Sequence, residues 1–227
     1  MSNKKQNLIV CAHPDDETIY FAGLIMQKRQ LPWKVICITN GNADNFGDKR
    51  HKQFEEACFK LKVLNYEQWD FPDIYEQRLN TNKIISKLSN EEDIEDVFTH
   101  GIIGEYGHPH HQDVSYAVHQ SFKNVYSVSY NCFPDKIINL TEKEYKFKTE
   151  ILHLIYGSEI NRFAHLVSGT WQEGFTKVAS EEINEIYNFV TNPESKKAQL
   201  DKTKLEKYLW LYDHIIEILG TDRARIF

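Results

Sequence analysis

The 227-residue chain reads as an α/β fold: a Rossmann-like, mostly parallel sheet with helices on both faces and C-terminal helices packed on it. Three observations predict this. Over the first two thirds, short apolar runs alternate with segments of helical period, which is the pattern of βαβ units. No repeat, low-complexity tract or linker interrupts the alternation. Hydrophobic residues make up 41% and aromatics 13%, enough to bury a sizeable core, so 1–227 reads as a single domain.

The elements follow in order. Leu8–Ala12 is an apolar run that predicts a buried strand, and Pro14–Gln30 a helix with Ile19, Gly23, Ile25 and Met26 available to pack. Val35–Thr39 is a second strand, ending at Asn40-Gly41. Asp48–Leu61 is a helix whose Phe54, Ala57, Cys58 and Leu61 share one face. Tyr66–Phe71 is a third strand, stopped by Pro72, and Gln77–Leu88 a third helix. Asp96–His100, His111–Phe122 and Val125–Tyr130 read as strand, helix and strand. Beyond about Lys136 the pattern weakens. Thr141–Tyr156 and Thr203–Leu219 read as helices, the latter with a Leu205, Leu209, Tyr212 and Ile216 core stripe and Gly220 as its cap. Asn192–Ser195 reads as a loop, and the part from about residue 141 as helical.

Charge and cysteines bound the function. With 27 basic and 33 acidic residues the net charge is −6, which argues against a general nucleic-acid binder. Cys11, Cys37, Cys58 and Cys132 form no C-x-x-C and read as reduced, buried residues. Asn7–Ala12 is too short for a secretory leader, and no apolar run approaches the roughly 20 residues that cross a bilayer. The expectation is a soluble cytoplasmic protein without a membrane span.

Ligands of open α/β sheets gather at the carboxyl ends of strands. The loop after the first strand, His13-Pro14-Asp15-Asp16-Glu17, lacks the glycines of a dinucleotide loop. It offers metal chemistry instead. His13 precedes proline and is pushed toward extended backbone, Pro14 suits the first position of a helix, and Asp16 falls three residues after His13. An acidic first turn that merely caps a helix is the plainer reading of Asp-Asp-Glu alone. The loop after the fourth strand repeats the device: His108 stands before Pro109, and His111 falls three residues on.

Two such turns after parallel strands predict a metal site. Two His and one Asp with an open position is the arrangement of a catalytic zinc, which acidifies its water. Asp15, beside a ligand yet not needed as one, is placed to take that proton. His108, with Tyr106 beside it, could donate to a developing oxyanion.

Ala12-His13-Pro14-Asp15-Asp16-Glu17 together with Gly107-His108-Pro109-His110-His111 resembles the PIG-L/LmbE-like zinc-dependent N-acetylglucosamine deacetylase family. The resemblance runs from about Leu8 to His119 and takes in Asn40-Gly41, Arg50 and Phe71-Pro72-Asp73. It implies that His13, Asp16 and His111 bind zinc. It implies that Asp15 is general base and then general acid, and that His108 and Tyr106 serve the carbonyl oxygen. Arg50 and Asp73 would contact the sugar; without the resemblance they would be a solvated helix charge and a turn residue. The implied partner is a small N-acetylated amino-sugar conjugate and the reaction is amide hydrolysis. The sequence departs from the family pattern at His110, where Asp is usual, and at Gln53, where Glu is common.

Other readings stay open. The ligand set suits iron(II) as well as zinc, so a mononuclear Fe(II) oxygenase is one alternative, although that site usually sits in a β-barrel. A two-metal phosphoester hydrolase would need more ligands than are evident. A metal-stabilised binding domain would leave Asp15 and His108 without work. Trp171–Phe175 could line a sugar cleft or pack in the core. A homo-oligomer is compatible with the sequence.

Overall fold

The structure is a computed structural model that describes residues 5–75, 77–130, 133–161 and 167–191. The expected helix Thr203–Leu219, its Gly220 cap, the Asn192–Ser195 loop and Cys132 lie outside them.

The chain runs β1 (Gln6–Cys11), α1 (Asp16–Gln27), β2 (Trp33–Thr39), α2 (Gly47–Leu61), β3 (Asn65–Phe71), α3 (Thr81–Leu88), β4 (Ile94–Thr99), α4 (Pro109–Ser121) and β5 (Val125–Val128). Then follow β6 (Lys136–Asn139), α5 (Glu142–Leu154), a short α6 (Gly157–Ile160), β7 (Gln172–Thr176) and α7 (Ser180–Thr191). Seven strands make one mixed, mostly parallel sheet, ordered β3-β2-β1-β4-β5-β7-β6, with helices around it. The parallel pairs β1–β2, β2–β3 and β4–β5 are the βαβ units that the alternation predicted. Among the described residues no helix is long and apolar enough to cross a membrane.

Two compact units divide the described residues. The first holds 5–75, 93–96, 137–161 and 167–173; the second holds 77–92, 97–130, 133–136 and 174–191. In the first unit Leu8, Ile9, Val10, Val35, Ile36 and Ile38 are fully buried, as expected of strands covered on both faces. Gly23 of α1 is a point of close approach. A Cβ there would lie 2.5 Å from Leu140 and 3.0 Å from the Glu173 carboxylate, which accepts from the Gly23 and Leu24 N–H groups and pairs with buried Lys148. In the second unit Ile102, Ile103, Ile183, Ile186 and Val190 form one apolar cluster.

Several expectations need correction. The region after Lys136 is not simply helical. β7 runs antiparallel to β5, with Ser127 opposite Thr176, and β6 ends the sheet. α7 was not anticipated, although Ile183, Ile186 and Val190 fall on one face. α1 begins at Asp16 rather than Pro14, and α3 at Thr81, where the Asn80 side chain accepts from Lys83 N–H and caps it. Phe175 is fully buried and packs edge-on against Phe98, so it is core rather than cleft lining.

Candidate active site

Each unit carries one histidine–proline turn. In the first, β1 leaves the core at Ala12 and the chain turns through His13-Pro14-Asp15 into α1. The His13 N–H donates to Asp16 Oδ2 at 2.8 Å, and the His13 Nδ1 lies 3.4 Å from the same oxygen. His13 Nε2 is 3.6 Å from Asp73 Oδ1. Burial pulls the His13 pKa down, but Asp16 and Asp73 outweigh it and the net shift is upward.

Asp15 departs from a simple cap. Its φ is +120°, a region that costs a non-glycine residue about 1–3 kcal/mol and that gathers at functional sites. This twist displaces Pro14 from the first helical position. The Asp15 N–H donates to Glu17 Oε2 at 3.0 Å, and Asp15 Oδ2 accepts from Arg50 Nη2 at 3.1 Å. Arg50 also donates to the Pro14 carbonyl, so one guanidinium braces the turn at two points. Burial pushes the Asp15 carboxyl up to about 8 even though Arg50 opposes it. Glu17 is fully buried, accepts from Thr18 and from Tyr156 O–H at 3.0 Å, and is raised by burial to about 7.

Carboxyl groups crowd this half-site. Asp15, Asp16 and Glu17 are buried, Arg50 pairs with Asp15, and His13 lies beside Asp16 and Asp73. Buried carboxylates cost several kcal/mol each unless protonated or paired with a cation. A hard or borderline dication held by imidazole and carboxylate fits that donor set.

The second unit builds its turn differently. His108 is the N-cap of α4 in extended backbone, with Pro109 at the first helical position. Its Nδ1 accepts from His110 N–H at 3.2 Å, which leaves the proton on Nε2 and makes that nitrogen the donor. His111 is 1% exposed and its Nδ1 lies 2.5 Å from Glu105 Oε2. The Nδ1–H donates to that carboxylate, which is the support that orients a metal-ligating histidine. Glu105 Oε1 accepts from Gly101 N–H at 2.7 Å, and His100 Nδ1 lies 3.3 Å from Oε2. Burial alone would raise Glu105, but His100 and His111 hold it down at about 2. The Tyr106 ring lies edge-on to His108 with centroids 6.0 Å apart and 5.7 Å from His111.

A further network fixes the start of α4. Buried Asp113 accepts from Arg78 at 3.0 Å, Tyr187 O–H at 2.6 Å and Leu79 N–H at 2.7 Å. Arg78 also donates to Gln112 and the Pro109 carbonyl. His110 lies with Nε2 2.9 Å from the Gln77 carbonyl, a reach that the usual Asp would not have. Gln53 donates to the Ile155 carbonyl.

So His13, Asp15, Asp16, Arg50 and Asp73 come together in the first unit, and Tyr106, His108 and His111 in the second. Sequence reasoning missed Glu17, Tyr156, Glu105, His100, Arg78 and Asp113. Glu17 left a signal as the last residue of the first motif, and Glu105 as the acid just before the second.

The family model for PIG-L, GlcNAc-PI de-N-acetylase, matches residues 8–122, which include both histidine–proline turns. The chain belongs to the PIG-L family. N-acetylglucosaminyl-phosphatidylinositol de-N-acetylase of Saccharomyces cerevisiae is 32% identical over 95 residues, 38% of this chain and 31% of that protein. The chain spans about half the length, or less, of the curated relatives it matches. Among solved structures, N,N'-diacetylchitobiose deacetylase from Pyrococcus horikoshii superposes with a TM-score of 0.61 at 15% identity, covering 79% of this chain and 86% of that one. GalB of Pseudomonas putida, a 4-carboxy-2-hydroxymuconate hydratase, superposes with a TM-score of 0.54 at 17% identity over 77% and 98%. This PIG-L fold is therefore shared by a deacetylase and a hydratase, and the fold alone does not choose the reaction.

Proposed function

We propose that this chain is a zinc-dependent hydrolase that removes the N-acetyl group from an N-acetylglucosamine-type amino sugar or its conjugate. The family match that spans both histidine–proline turns carries the reading. The strand order supports it too. It reverses between β1 and β4, the two strands that the turns follow, and such a reversal is where open α/β sheets take ligands.

In this reading His13, Asp16 and His111 hold the ion, and iron(II) suits the same donors. When bound, the ion acidifies a water and polarises the acetamide carbonyl. Asp15 receives the proton of the attacking water on its carboxylate, while Arg50 holds Oδ2 and so fixes the orientation of the group. The water oxygen bonds to the carbonyl carbon, and the carbonyl π pair moves to oxygen. His108 donates its Nε2–H to that oxyanion, with Tyr106 beside it; one such donor is worth about 3 kcal/mol. The C–N bond then breaks, Asp15 returns its proton to the nitrogen, and acetate and a free amine leave. Arg50 and Asp73 contact the sugar from the same half-site.

The test is an acetate-release screen on the metal-loaded chain, over N-acetylglucosamine and its nucleotide-, lipid- and thiol-linked conjugates. Equimolar acetate and amine are expected from at least one. A fully metal-loaded protein that releases acetate from none would overturn the reading.

A further inference from the structure

The first unit holds a cavity of about 630 Å³ beside the turn, at the carboxyl ends of β2 and β3 and the start of α2. None of His13, Asp15, Asp16 or Asp73 lines it. Asn40 ties it to the half-site, because its Oδ1 accepts from both Asp73 N–H at 3.3 Å and Asn42 N–H at 3.1 Å. Gly41, at φ +65°, lets the chain pass between the two; a Cβ there would lie 3.1 Å from Pro14 and 3.2 Å from Arg50.

The lining has the chemistry of a saccharide site. Among the described residues, the side chains of Asn45 and Asp48 have no hydrogen-bond or ion-pair partner, so both offer groups to a ligand. Amide and carboxylate groups suit vicinal hydroxyls, because each accepts or donates at two adjacent points. Phe46 is 56% exposed at the rim, with Lys49 Nζ 5.7 Å from the centre of its ring, and adds apolar ring surface of the kind a pyranose packs on. Charge excludes an anion. Asp48 and Asp70 both face the cavity, and its one lysine, Lys49, is drawn to Ser158 Oγ at 2.7 Å and Glu159 at 3.6 Å. A phosphate there would meet two carboxylates with no uncommitted cation.

We propose that this cavity is a second sugar subsite, which binds an uncharged, hydroxyl-rich group joined to the reacting N-acetylamino sugar. It rests on the deacetylase reading and narrows it: the preferred conjugate is a neutral oligosaccharide rather than a phosphate-linked one.

The test is calorimetric titration of the zinc-loaded full chain carrying Asp15→Asn, which keeps turnover out of the measurement. The probes are N-acetylglucosamine, its β-1,4-linked trimer and uridine-diphosphate N-acetylglucosamine. The trimer is expected to bind about tenfold more tightly than the monosaccharide, and the nucleotide sugar no more tightly. Phe46→Ala should remove that advantage and leave monosaccharide affinity unchanged; Asn45→Ala should reduce it. A trimer that binds no better, an advantage that survives Phe46→Ala, or a preference for the nucleotide sugar would overturn the subsite. Acetate release by the wild-type chain separates the two readings. Length-dependent binding without acetate keeps the subsite and removes the deacetylase. Acetate released equally from monosaccharide and trimer, with equal affinity, does the reverse.

Discussion

The turns His13–Asp16 and His108–His111 share the spacing H-P-x-[DH], yet their backbones differ. At the second, His108 caps α4 in ordinary extended geometry and Pro109 takes the first helical position. At the first, Asp15 is forced to φ +120°, Pro14 is left outside the helix, and Arg50 clamps the turn. The difference lies in what occupies the third position. His110 reaches a backbone carbonyl with Nε2. Asp15 is a buried acid whose orientation is held by a cation, and strain at that residue is compatible with a chemical role.

The largest consequence is kinetic. Asp15→Asn should keep the metal and the fold and lose turnover by about 10²–10⁴-fold, as removal of a general base does. His110→Asn should change turnover far less. Steady-state kinetics with metal analysis checks both, and near-normal turnover in Asp15→Asn would erase the contrast.

Next comes ligand orientation. Glu105→Gln weakens the hold on the His111 ring and should reduce zinc affinity by about 10–100-fold, read by competition with a chelator.

A smaller effect concerns acid. His119, on the same helix as His111, lies with Nδ1 2.7 Å from the Ser115 carbonyl and Nε2 3.2 Å from Ser127 Oγ. Burial lowers its pKa to about 4 from the ordinary 6.5. The unfolded chain therefore takes up a proton between these values and the folded chain does not. The stability His119 contributes is full above pH 6.5 and is lost as pH falls toward 4, by roughly 3 kcal/mol. Denaturant titrations of His119→Gln should show a flatter profile across that window.

The smallest effect tests the backbones themselves. At φ +120° glycine is preferred, so Asp15→Gly should be more stable than Asp15→Ala by about 1 kcal/mol. In the helical first turn of α4 the order should invert, with His110→Gly less stable than His110→Ala by about 1 kcal/mol. Thermal melts of the four variants decide this, and the same order at both positions would contradict the strain at Asp15.

What the chain displays locally could be read from it. β1, β2, β4 and β5 are apolar runs with turn residues behind them, and α5 carries its own Thr141–Glu144 capping box. β7 stayed hidden because Gln-Glu-Gly-Phe-Thr looks polar. Its Glu173 is buried only because Lys148 and two N–H groups of α1 meet it. The paired histidines were legible because their chemistry needs fixed spacing. Their supports were not. Tyr156 reaches Glu17 from 139 residues away, and Asp113 gathers Arg78 and Tyr187 from opposite sides of the sequence. Such contacts depend on packing, which no local pattern records.

The claim that the two turns serve one ion is tested most directly by elemental analysis of purified wild type, His13→Ala and His111→Ala after equilibration with limiting zinc. The account predicts about one zinc per wild-type chain and loss of most of it in either variant. Full occupancy in His13→Ala or in His111→Ala would contradict it.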